Sequence, residues 1–271
     1  MGKGLLRTLF YALLIGATLV MLFPFFYMFV TASKDEAQLI SARFFPAPWH
    51  LENFWKGWTQ EPFTLFLMNS AVVAVAVTGL TLLLGSMGGF AFAKFQFRGK
   101  ELVFLFVLST MMVPYQVTMI PNFLLCGFIG ILNSYIGLVV PCLPLAFGIF
   151  LMRQFITTIP TSLIEAARID GSSDVRVFFQ IVLPLCKPAL ATLAIFTFMA
   201  SWNNFIWPLI ILDSESMYTI PIGLLRFNQQ YETQHQYMMA VSLLSILPIV
   251  ILFISFQRAF VKGMALTGLK E

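Results

Sequence analysis

Five long stretches of the chain carry no charged side chain: residues 8–33, 62–93, 102–152, 188–212 and 233–257. A helix needs about 20 apolar residues to cross a bilayer, so the 51-residue stretch 102–152 must hold two crossings. The pattern therefore predicts six spans, at about 9–31, 65–90, 102–123, 135–152, 189–212 and 238–256. The second is rich in Ala, Val and Gly, which lets neighbouring helices approach closely, and Asn69 and Ser70 mark its outer part. Pro114 and Pro121 break the third, with Tyr115 and Gln116 between them, and predict a kink. Trp202-Asn203-Asn204 followed by Trp207-Pro208 makes the fifth unusually polar for a lipid-facing helix.

One polar-studded segment, residues 160–185, lies between apolar runs on both sides. Pro160 suits a helix start, and Ser162 with Glu165 three residues on fits a capping box, which predicts a helix over 161–169. Gly171 suits the left-handed residue after a helix end. Asp170 or Ser172 is expected to cap a second helix through Val175, Phe178, Phe179 and Val182, closed by Pro184. Leu163, Ile164 and Val182 are expected to pack inward, while Ala166 and Ala167 leave a small-residue surface that another protein's cleft can approach.

Composition turns this pattern into a class. At 59% hydrophobic and 10% charged residues the chain is far more apolar than a soluble domain, which is about 25% charged. It reads as an all-α polytopic membrane protein. The net charge of +4 comes from cations flanking the spans, with no basic, aromatic-interleaved soluble region, so nucleic acid is not an expected partner. With the start placed in the cytoplasm, twelve Lys and Arg fall inside and four outside. That puts both termini and residues 160–185 in the cytoplasm, and residues 34–61 and 213–236 opposite. Trp49, Trp55 and Trp58 read as interfacial anchors. The first span exceeds a signal-peptide core and is expected to be retained. Cys126, Cys142 and Cys186 are scattered, indicate neither a disulfide framework nor a metal site, and read as small apolar residues.

Catalysis finds no support. The two histidines, His50 and His235, lie in outer loops, so no catalytic set assembles at membrane depth, and no metal or other cofactor is expected. No Asp, Glu, Lys or Arg sits in the middle of a span, which weakens proton or sodium coupling. No phosphate-binding loop occurs: Gly99-Lys100 is followed by Glu101. Tyr115, Gln116, Trp202, Asn203 and Asn204 offer the amides and aromatic faces that bind sugars, and helix–helix hydrogen bonding accounts for the same residues.

Glu165-Ala166-Ala167, Asp170-Gly171 and Ile181-Val182-Leu183-Pro184 together resemble the EAA loop of ABC importer permeases. The resemblance implies a type I ABC importer permease fold of six transmembrane helices, with residues 1–271 one permease domain. It also implies that the loop, through Glu165, Ala166, Ala167, Asp170, Gly171, Leu183 and Pro184, docks into an ATPase subunit. Asn69-Ser70, the stretch from Met112-Val113-Pro114 to Ile120-Pro121, the Trp202 to Pro208 cluster and the tail from Phe260 to Lys270 are similar to the shorter permease of carbohydrate-type, maltose-transporter-like importers. Met264, Ala265 and Leu266 depart from that pattern. Implied partners are an ABC ATPase dimer, a second homologous permease, an extracytoplasmic solute-binding protein, a sugar or related polar solute, and the lipid of a prokaryotic inner membrane. The chain itself is then not an enzyme, and ATP hydrolysis belongs to the separate subunit. A stand-alone ion-coupled carrier or channel is the alternative from another class.

Overall fold

A computed structural model describes residues 2–41, 43–229 and 234–268, with side chains over 4–41, 43–227 and 234–257. Arg258, Lys262 and Lys270, and the side chains of the tail from Phe260, lie outside the described ones. The helices in chain order are α1 (Gly2–Ala32), α2 (Glu36–Ile40), α3 (Glu52–Gln60), α4 (Phe63–Lys94), α5 (Lys100–Thr110), α6 (Tyr115–Phe128), α7 (Tyr135–Val139), α8 (Leu145–Thr157), α9 (Thr161–Ile169), α10 (Asp174–Val177), α11 (Leu183–Leu185), α12 (Lys187–Trp202), α13 (Ile206–Ile211), α14 (Ile220–Gln229) and α15 (His235–Gly268). Among the described residues there is no strand.

Three helices, α1, α4 and α15, are long and apolar enough to cross a membrane, and the number rises to six if each of three bent pairs forms one span. The bends are 93° between α5 and α6, 48° between Tyr135–Cys142 and Leu145–Thr157, and 80° between Asp174–Leu185 and Lys187–Trp202. Proline accounts for their positions. Pro114 caps α6, and a proline both lacks an N–H and pushes the preceding residue out of the helical region. Pro141 and Pro144 interrupt the second pair, and Pro184 and Pro188 flank the third. The kink expected at Pro114 is thus a full change of direction, whereas Pro121 sits inside α6 without ending it. The fifth apolar stretch is likewise not one helix, because α12 stops at Trp202 and α13 starts at Ile206.

The described residues divide into two compact units, residues 1–67 with 222–248 and residues 68–221 with 249–271. In the first, Phe63 stacks on Phe227 at 5.4 Å between centroids and meets Phe66 edge-on. Gly223 fits against these rings only because it has no Cβ. Buried Asn53 donates to the carbonyls of Ala32 and Lys34 at 2.9 and 2.8 Å, satisfying acceptors at the end of α1. The rest of α1 buries little of its apolar surface, as a lipid-facing helix does.

In the second unit α4 and α8 make a close approach. A Cβ on Gly85 would lie 3.1 Å from Gly148 Cα, and one on Gly89 would lie 2.6 Å from Met152 Cβ. Small residues here let two backbones meet, the close packing anticipated for the second span. Below this contact Phe90, Met152, Ile156, Ile164, Val177, Phe178, Val182 and Leu193 form one buried cluster. Asn69 donates to the carbonyls of Ser216 and Tyr218, both at 2.9 Å, and accepts from the Tyr135 hydroxyl at 2.6 Å, while Ser70 Oγ accepts from the Ile220 amide at 2.8 Å. These two polar residues of α4 therefore fasten the segment that leads into α14.

Candidate functional site

The loop between α8 and α12 is built outward from that buried cluster. Lys94, at the end of α4, donates to the Ile159 carbonyl and lies 3.4 Å from Thr161 Oγ1, pinning the entry to α9. Pro160 occupies the N-cap of α9 without a side-chain hydrogen bond, so the capping box expected between Ser162 and Glu165 does not form. Ser162 already lies inside the helix, one position past the first residue that the fixed φ of proline starts.

Ile164 and Ala167, three residues apart, share the inward face and are buried. Glu165, Ala166, Arg168, Ile169 and Asp170 are exposed. Two expectations are corrected here: Ala167 faces the core rather than outward, and Leu163 is 43% exposed on the rim. The small side chain of Ala167 serves close packing on the protein's own core.

At the end of α9 the Gly171 amide donates to the Arg168 carbonyl at 3.0 Å and the Ser172 amide to the Ala167 carbonyl at 2.9 Å, with Gly171 at φ +83°. This is a Schellman turn, the ending that a left-handed glycine permits. Asp170 is the C-cap residue of α9 and does not cap the next helix. Ser173 does so, its Oγ accepting from the Arg176 amide at 3.4 Å, because the turn uses up residues 170–172 first. Arg168 bridges the turn to Asp174 at 2.8 Å and its guanidinium lies 5.6 Å from the centre of the Phe95 ring.

Pro184 does not close the second helix. It has no N–H for the Gln180 carbonyl, and a π-helical turn over Phe178–Val182 carries the chain into Leu183–Leu185 before the bend. Val182 and Phe178 point inward, Phe178 with its ring 5.6 Å from that of Phe90. Leu183 packs at the edge of the cluster and Pro184 is exposed.

A second site lies within the same unit. Tyr115, Cys142, Thr197, Ser201, Asn203 and Asn204 contribute to the wall of a cavity of about 600 Å³. Asn204 Nδ2 donates to Cys142 Sγ at 3.4 Å, the Tyr115 hydroxyl lies 3.8 Å from the same sulfur, and Asn204 Oδ1 accepts from the Trp207 amide at 3.4 Å. Asn203 Nδ2 turns back to the Met199 carbonyl at 3.0 Å. Trp207 donates its indole N–H to the Gly137 carbonyl at 2.9 Å and meets the Tyr115 ring edge-on at 6.4 Å.

Three of the five sequence candidates, Tyr115, Asn203 and Asn204, thus share one cavity. Gln116 is exposed away from its wall, and Trp202 is buried with its ring stacked on Phe198 at 5.4 Å. Cys142, Thr197 and Ser201 were missed. Cys142 is not merely a small apolar residue, since its sulfur takes two polar neighbours; the signal available was the proline pair at 141 and 144 around it.

Residues 82–266 match the family described as binding-protein-dependent transport system inner membrane component. The chain is 36% identical over 256 residues to the arabinooligosaccharides transport system permease protein AraQ of Halalkalibacterium halodurans, covering 93% of this chain and 92% of that one. It is also 36% identical over 262 residues to the sn-glycerol-3-phosphate transport system permease protein UgpE of Yersinia pestis, covering 93% of each. Its fold is similar to a chain in the crystal structure of a bacterial ABC transporter involved in the import of the acidic polysaccharide alginate, with a TM-score of 0.85, 24% identity, and 96% and 98% of the two chains covered. The apolar helices, the glycine-ended loop on its own buried base and these matches agree, and the chain belongs to the binding-protein-dependent transport system inner membrane component family, as a permease.

Proposed function

We propose that this chain, acting as one permease domain, works in an ATP-driven importer for a sugar or related small polar solute and is coupled to its ATPase through residues 160–185. The loop's construction carries the reading. Ile164, Ala167, Phe178 and Val182 root it in a hydrophobic cluster with the ends of α4, α8 and α12, while Glu165, Ala166, Asp170 and Gly171 stand exposed at the tip. A tip so anchored passes a push on to the helices, as coupling requires. Leu183 and Pro184 hold the exit of the loop.

ATP hydrolysis resides in a separate subunit dimer, and a second homologous permease and an extracytoplasmic solute-binding protein complete the assembly. Both termini and the loop face the cytoplasm. Tyr115, Asn203 and Asn204 lie on the solute path; Gln116 and Trp202 stand outside the cavity wall. The solutes named for the relatives, arabinooligosaccharides and sn-glycerol 3-phosphate, bracket the chemistry: a polyhydroxylated body with or without an anionic group.

Co-purification tests the reading. A tagged chain expressed with its genomic neighbours is expected to retrieve an ATPase, and Glu165→Arg, which reverses the charge at the tip, is expected to abolish solute-stimulated ATP hydrolysis. Solute uptake by the chain without any ATPase would establish the stand-alone carrier instead.

A further inference from the structure

Three helix interruptions, far apart in sequence, line the one cavity: Tyr115 directly after the α5–α6 break, Pro141 to Pro144 between α7 and α8, and Asn203 to Phe205 between α12 and α13. Non-helical backbone within a bilayer is stable only where protein or water satisfies it, and in transporters such breaks gather at solute sites. The wall's polar side chains are all uncharged. They are a phenol, a thiol, the hydroxyls of Thr197 and Ser201, and the carboxamides of Asn203 and Asn204.

Their hydrogen-bonding capacity is partly free. Thr197 and Asn203 each donate a hydrogen bond to a backbone carbonyl, of Leu193 and Met199, which leaves the Thr197 hydroxyl lone pairs and the Asn203 Oδ1 as acceptors and one Asn203 amide hydrogen as a donor. Asn204 keeps one amide hydrogen beyond the bond to Cys142. Hydroxyl groups, which donate and accept, match such a wall. A phosphate or carboxylate does not, because its charge would be desolvated without the Arg or Lys that normally pairs it.

We infer that this cavity contacts the transported solute and that the solute is a neutral polyhydroxylated molecule, a non-acidic saccharide, rather than a phosphorylated or uronic-acid one. This rests on the importer reading above and narrows its solute class.

The test uses the whole transporter in proteoliposomes: this chain in a Cys126→Ala, Cys186→Ala background, its ATPase, companion permease and binding protein. Alkylation of Cys142 by a small uncharged maleimide reports occupancy of the cavity. A panel of neutral di- and trisaccharides, lactose and arabinotriose included, is expected to contain a member that slows alkylation and is imported, while sn-glycerol 3-phosphate and oligogalacturonate do neither. Ser201→Val and Asn203→Leu, in complexes that still assemble by gel filtration, are expected to lower uptake about fivefold, the loss of one neutral hydrogen bond, and Asn203→Gln to restore most of it. ATP-driven import of the anionic probes with protection of Cys142, or import with Cys142 alkylation unchanged by every solute, overturns the inference and leaves the importer reading standing. Absence of ATP-driven import of any solute removes both.

Discussion

Gly171 sits at φ +83° with no atom within 4 Å of where a Cβ would stand, so what a side chain meets there is backbone strain rather than a clash. Gly171→Val is expected to cost about 1–2 kcal/mol locally and to redirect α10, lowering solute-stimulated ATPase activity in a reconstituted complex while membrane insertion is normal. Gly171→Asn, which tolerates the left-handed region, is expected to retain most of the stimulation. Trp207 illustrates a different residue-scale dependence. Trp207→Phe keeps a ring in a fully buried position but strands the Gly137 carbonyl, and is expected to destabilise by about 1–3 kcal/mol, read as a lower unfolding temperature in detergent.

At the scale of elements the glycines of α4 separate into two kinds. Gly89→Leu collides with Met152 and the Arg153 backbone and is expected to cost about 1–3 kcal/mol or prevent folding, whereas Gly79, with nothing within 4 Å, is expected to accept Leu with little change in thermal stability. Which glycine is which was not legible in the sequence, because both lie in a stretch without charged residues whose few hydroxyl side chains, Thr78, Thr81 and Ser86, do not mark one face. The same uniformity hid the depth of the helix breaks: the prolines were visible, but a 93° turn depends on what the freed backbone packs against. The α9 helix and its glycine ending were legible, since Pro160, Gly171 and the flanking apolar residues act locally. Its inward face was read only in part, because Ala166 and Ala167 are chemically alike and the choice between them is made by the buried cluster. The cavity was legible as residue types, and its membership was not, since it joins residues 115, 142 and 203 through tertiary contacts.

For the whole molecule, the twelve-to-four distribution of cations carries a prediction about orientation. In a background without native cysteines, Ser172→Cys is expected to resist an impermeant maleimide added to intact cells and to react after permeabilisation, whereas Lys56→Cys reacts from outside. Labelling of Ser172→Cys in intact cells would reverse the topology and remove the loop from any cytoplasmic ATPase.

The short helices α7 and α13, five and six residues long, also bear on how the protein is made. Each is too short to satisfy itself in lipid; α13 is joined to α7 by the Trp207 to Gly137 bond and to the turn before α7 by the Asn133 amide donating to the Ile211 carbonyl at 3.0 Å. The ribosome therefore finishes α7 long before its mate exists. Neither bond can form until residues 207 and 211 have been made, so this part of the fold closes only after the fifth apolar stretch has been synthesised.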